Sequence, residues 1–84
     1  MILSKLVGFK NFDYVDKETH EVTPKVQVCF EDTNVLGATG HIYSTYSFKK
    51  ENVPAFKSTD IDKEIIVELG NMQGRKYGSS IIFK

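Results

Sequence analysis

Val22-Thr23-Pro24-Lys25-Val26-Gln27-Val28-Cys29-Phe30 decides the fold class. Val26, Val28 and Phe30 fall on one side of a strand with period two, and Lys25, Gln27 and Cys29 fall on the other. Pro24 has no N–H to give to a ladder, so this strand begins at an edge or a bulge. Upstream, Asp16-Lys17-Glu18-Thr19-His20 is a polar turn opened by an aspartate. Before it, residues 2–15 form a long run of β-formers with Gly8 in the middle, which predicts a bulge or bend and a strand that curls.

Downstream, residues 32–40, containing Asn34, Gly37 and Gly40, are a loop. Residues 41–48 alternate Ile42, Ser44, Tyr46 and Phe48 against His41, Tyr43, Thr45 and Ser47. Residues 49–59 break the alternation, with room for one or two helical turns around Pro54, Ala55 and Phe56. Residues 61–69 set Ile61, Ile65, Val67 and Leu69 on a core face; residues 70–76 turn the chain and 77–83 close it. Three antiparallel strands, an irregular or briefly helical connector and a hairpin predict one all-β domain over residues 1–84. The expected architecture is a small five-stranded Greek-key barrel of the oligonucleotide-binding (OB) type. An SH3-like barrel and an open meander share the same local pattern.

At 84 residues the core leaves only about 3–5 kcal/mol of net stability, so dimerisation would help. No stretch reaches the roughly 18–20 apolar residues of a membrane helix. The start lacks the basic and apolar regions of an export signal, and the lone Cys29 cannot form an internal disulfide. The expectation is a cytoplasmic protein with no membrane partner.

Eleven basic and eleven acidic residues cancel, which counts against gripping nucleic acid by bulk charge. The distribution is nonetheless polarised. Residues 69–84 hold Arg75, Lys76 and Lys84 and no acid, whereas residues 51–68 hold five acids against Lys57 and Lys63.

Catalysis is not indicated. His20, Cys29 and His41 stand on separate elements, without the spacing of a metal site or a nucleophile with its base. Neither glycine-rich loop continues into Gly-Lys-Ser/Thr, so no phosphate loop is present. Gly70, Gly74 and Gly78 read as bulge and turn geometry. No cofactor is expected.

Aromatics beside cations point elsewhere. Single strands are held by a positive groove along the phosphates and by rings on which bases stack. OB barrels use the face of strands two and three and the loops joining strands one to two and four to five. Those places hold Lys17, then Lys25 and Gln27, then His41, Tyr43 and Thr45, then Arg75, Lys76 and Tyr77. Surface lysines and tyrosines are also ordinary on small β domains, where a strand tyrosine packs more often than it stacks.

Two segments carry a family likeness. Gln27-Val28-Cys29-Phe30-Glu31-Asp32 and Tyr77-Gly78-Ser79-Ser80-Ile81-Ile82 resemble, in the same order, stretches of the single-stranded-DNA-binding proteins of filamentous phages, the gene V type. The resemblance implies a non-enzymatic OB-like homodimer of a phage or other mobile element, serving DNA replication by coating single-stranded DNA, or RNA, with little sequence preference. It also implies Tyr77 as the loop aromatic, Phe30 as the strand aromatic, Lys17 as a first-turn cation and Lys84 as the cation of the last strand. The sequence departs from the family at Val22, where a tyrosine is usual, and at Glu31, where an apolar residue is usual. Periodicity groups Phe30 with Val26 and Val28, so its contact role requires a change of buried face, for which a bulge at Pro24 would serve.

The expected contact set is Lys17, Lys25, Phe30, Tyr43, Arg75, Lys76, Tyr77 and Lys84. The rival reading is a small β-barrel module that binds another protein through exposed tyrosines and an edge strand.

Overall fold

The structure is a computed structural model that describes residues 2–33 and 35–84. Asn34, which the sequence assigns to a loop, lies outside the described residues. The alternating runs become β1 (Ile2–Val15), β2 (Val22–Asp32), β3 (Tyr43–Lys49), β4 (Glu64–Met72) and β5 (Arg75–Phe83), with 3-10 turns at Lys50–Asn52 and Ser58–Asp60. They pair into one antiparallel sheet of order β3-β2-β1-β4-β5.

The length of β1 lets it serve two partners. It pairs with β2 from Ser4↔Asp32 to Val15↔Val22, and with β4 through Ile2 to Lys5. Where β4 stops, the backbone of Leu6 bonds to Asp62 and Lys63 instead, at 2.8 and 3.0 Å. The register of β1 against β2 then shifts between Leu6 and Gly8, leaving Val7 as the extra residue. This is the bulge the glycine predicts.

Among the described residues no ladder joins β3 to β5, so the sheet is not closed. The two edges nevertheless approach closely: a Cβ on Gly78 would stand 2.7 Å from the Ser47 carbonyl oxygen and 2.7 Å from the Phe48 ring.

One face of the sheet is the core, built from Leu6, Val26, Val28, Phe30, Phe48, Ile65, Val67 and Ile81. Each such side chain removed from water is worth about 1.5–3 kcal/mol. The connector after β3 covers one side of this core. Phe56 packs against Phe9 at 5.5 Å and edge-on to Phe83 at 5.7 Å between ring centroids. Asp60 fixes its end by accepting the Lys57 N–H and the Lys63 ammonium, both at 2.8 Å.

Several local expectations change. The connector's 3-10 turns flank Pro54–Phe56 instead of including them, because Phe56 is drawn inward as a packing residue. Ile61 lies in the turn before β4 and is exposed, not in the core face. The turn predicted over residues 70–76 narrows to Gln73 and Gly74, whose φ of 53° and 79° make a two-residue hairpin. No register shift occurs at Pro24; pairing runs unbroken from Cys29 to Val22. Phe30 therefore stays in phase with Val26 and Val28.

Candidate nucleic-acid interface

Period two puts every second residue of β1, β2 and β3 on the face away from the core. The strand registers arrange these residues in rows across three strands: Tyr43–Glu31–Lys5, then Thr45–Cys29–Gly8, then Ser47–Gln27–Lys10, then Lys49–Lys25–Phe12, ending at Thr23–Tyr14. The first row is charge-balanced. Glu31 accepts from His41 Nδ1 at 2.8 Å, His41 lies flat against Tyr43, and Lys5 stands between Glu31 and Glu64. From the second row onward no acid appears on this face, and Lys10, Lys25 and Lys49 stand among Phe12, Tyr14 and Gln27.

Lys25 and Lys49 are direct cross-strand neighbours, a pairing of like charges that costs stability. Neither is in an ion pair among the described residues. The Lys25 ammonium instead lies 4.8 Å from the centroid of the Tyr14 ring, a cation–π contact. Two uncompensated ammonium groups on a half-apolar surface suit an anion flanked by rings.

Tyr77 comes to this face from the other end of the sheet. Opposite it in the ladder is Gly70, and the space a Cβ would fill there is taken by the Tyr77 ring. The ring thus lies across the glycine, as aromatics do over strand glycines, with 46% of the residue exposed. Because β5 bends toward β3 at Gly78, Tyr77, Gly78 and Ser79 share a cleft of about 350 Å³ with Lys25, Ser47 and Lys49. Gly70 and Gly78 both meet close approaches, whereas Gly74 serves the turn.

The structure distributes the expected contact set unevenly. Lys25 and Tyr77 border one cleft. Arg75 shares the Tyr77 side of its hairpin, whereas Lys76 alternates to the opposite side. Tyr43 is 55% exposed but belongs to the charge-balanced row. Lys17 is exposed at the β1–β2 turn; beside it in the turn, Asp16 accepts the N–H groups of Glu18 and Thr19 at 2.8 and 3.2 Å. These bonds hold the Asp16 carboxyl below its ordinary pKa, so the turn keeps its negative charge. Lys84 pairs with Glu64 at 2.9 Å.

Phe30 is corrected. At 1% exposure, stacked on Tyr46 beneath β3, it has no face to offer a ligand. Lys10, Phe12, Tyr14 and Lys49 are members of the face that sequence reasoning missed. Alternation carried through β1 from Gly8 would have found the first three; Lys49 needs the β2–β3 register. Among the described residues no group of three or more metal-ligating side chains occurs, and no helix is long and apolar enough to cross a membrane.

Comparison with known proteins finds no matching family model, no matching curated protein and no matching solved structure.

Proposed function

We propose that this chain is a non-catalytic protein that binds single-stranded nucleic acid, DNA foremost, by stacking bases on Tyr77, Tyr14 and Phe12 and by pairing phosphates with Lys10, Lys25 and Lys49. The observation that carries the reading is the cleft in which an exposed tyrosine, braced on Gly70, faces two adjacent lysines that have no acid partner among the described residues. A neutral protein can hold a polyanion in this way, since the local phosphate contacts, not the net charge, set the affinity.

The strand order and the approach of Gly78 to Ser47 support a sheet curled in the OB manner, with the cleft at its β3–β5 seam. The likeness of residues 27–32 and 77–82 to gene V-type proteins supports a role in the cytoplasmic replication of a phage or other mobile element. A homodimer is part of the proposal. Leu3, Ile66 and Ile82 form one row across β1, β4 and β5 on the outer face, and Leu3 and Ile82 are exposed. That same row is what favours the second reading, a module whose partner is a different protein.

Fluorescence anisotropy with a labelled oligo-dT, titrated with salt, tests the reading. Binding should be micromolar or tighter near 50 mM salt, weaken steeply as salt rises, and exceed binding to duplex. No binding to the single strand would end it; salt-insensitive capture of a protein partner would favour the second reading.

A further inference from the structure

Gly8 lies within a strand that its own composition weakens, and neither backbone nor packing explains why it is glycine. Its φ is not in the left-handed region, so the bulge at Leu6/Gly8 is not of the kind that requires glycine. A Cβ there would meet nothing within 4 Å, so no neighbouring group excludes a side chain. Besides marking a bulge or a bend, a glycine inside a strand also marks places where something outside the protein approaches the backbone, and the open space over Gly8 leaves room for that.

The surroundings say what that would be. Gly8, Cys29 and Thr45 form the row of small side chains crossing β1, β2 and β3, a distance of roughly 10 Å at the usual strand spacing. On one side stand Lys5, Glu31 and Tyr43, and on the other Lys10, Gln27 and Ser47. The result is a shallow trough of about 200 Å³ whose lining includes Gly8, Lys10, Gln27, Cys29 and Thr45, several times the roughly 30 Å³ of a water molecule. Its polar groups are an amide that both donates and accepts, a hydroxyl that does the same, and an ammonium that donates. That set suits the edge of a planar heterocycle with a phosphate beside it.

We propose that the Gly8 trough seats one nucleobase edge-on and selects adenine through the Gln27 side-chain amide, with Lys10 holding the adjoining phosphate. A glutamine amide matches the paired donor and acceptor that adenine presents, and unstacked bases in single strands are read on such edges. The inference rests on the single-strand reading above and adds a base preference to it.

Anisotropy of the full chain with two labelled strands of equal length tests it: oligo-dT, and the same strand carrying spaced adenines. The wild-type protein should prefer the adenine-bearing strand by about five- to 150-fold, the range a bidentate amide contact gives. Gln27→Leu should erase the preference, bringing the two strands to the same affinity. Gly8→Val, which fills the trough, should weaken both strands with no fall in melting temperature. Equal binding of the two strands by the wild type, or wild-type affinities in a folded Gly8→Val, would overturn the base subsite alone. Failure of the wild type to bind either strand would overturn it together with the single-strand reading.

Discussion

Gly70→Ala separates the stacking platform from the fold. A methyl group at position 70 would sit inside the space of the Tyr77 ring, and the atoms it meets are the far end of a half-exposed side chain, so the ring yields rather than the backbone. Stability changes little, because the roughly 0.5–1 kcal/mol gained by replacing a strand glycine offsets the packing of the ring on the glycine, which the methyl group ends. Binding should fall as it does for Tyr77→Ala, by the 1–3 kcal/mol of about one stacked base, a roughly five- to 150-fold rise in Kd. Gly78→Ala is the control, because its Cβ would lie 2.7 Å from the Ser47 carbonyl oxygen and 2.7 Å from the buried Phe48 ring. Neither can move freely, and overpacking of this kind costs about 1–3 kcal/mol, or roughly 4–8 °C of melting temperature per kcal/mol in a domain of this size. Thermal melts and oligo-dT anisotropy on the three variants are the assay. Wild-type affinity in a folded Gly70→Ala would refute the claim that Tyr77 is held there to stack.

Three further outcomes are expected. Lys25→Ala and Lys49→Ala should each lower the slope of log affinity against log salt by about 0.7 while leaving the melting temperature unchanged or higher, since each relieves a like-charge pair. Ser4 is fully buried and its Oγ has no hydrogen-bond partner among the described residues; Ser4→Ala should therefore be neutral or stabilising by up to about 1–3 kcal/mol in a denaturant melt, the cost of an unsatisfied buried group. The Lys63 ammonium, followed by the Lys57 N–H, holds the Asp60 carboxyl below its ordinary pKa. The folded state thus binds fewer protons than the unfolded chain, and the stability this gives is complete above the unfolded value of about 3.9 and disappears as pH falls through the folded one. Asp60→Asn should flatten that acid limb in melts recorded across the acid range, and the similarly lowered Asp16 contributes to the dependence that remains.

The strands were legible where side-chain period and β-propensity agree. The first run coincides with β1 at both ends, and the bulge falls beside the one glycine in it. The β4–β5 hairpin was harder, because Asn71, Met72, Gln73 and Arg75 look like loop residues. Only the pairings of Asn71 with Lys76 and of Met72 with Arg75 show that three of those positions still belong to the ladder. For Phe30 the period of the strand was the better guide than the family resemblance, since no bulge turns it outward.

The candidate site was legible in kind but not in membership. Lys25 and Tyr77 could be chosen from composition, yet their shared cleft depends on β5 bending against β3 at Gly78. That approach joins segments far apart in sequence and leaves no local pattern. The same holds for Lys49, which becomes a neighbour of Lys25 only through the β2–β3 register. Lys84, the last-strand contact cation that the resemblance implies, is brought to Glu64 by the end of β5.

The central claim is that unpaired nucleotides lie along the part of the outer face of β1, β2 and β3 that carries no acid, beyond the Tyr43–Glu31–Lys5 row, and end on Tyr77. Backbone amide chemical-shift mapping with unlabelled oligo-dT tests it most directly. The account predicts perturbations concentrated at Lys10, Phe12, Lys25, Gln27, Lys49 and Tyr77, with Leu3, Ile66 and Ile82 undisturbed by the strand. Shifts confined to the Leu3–Ile66–Ile82 row, or none at saturating strand, would contradict it.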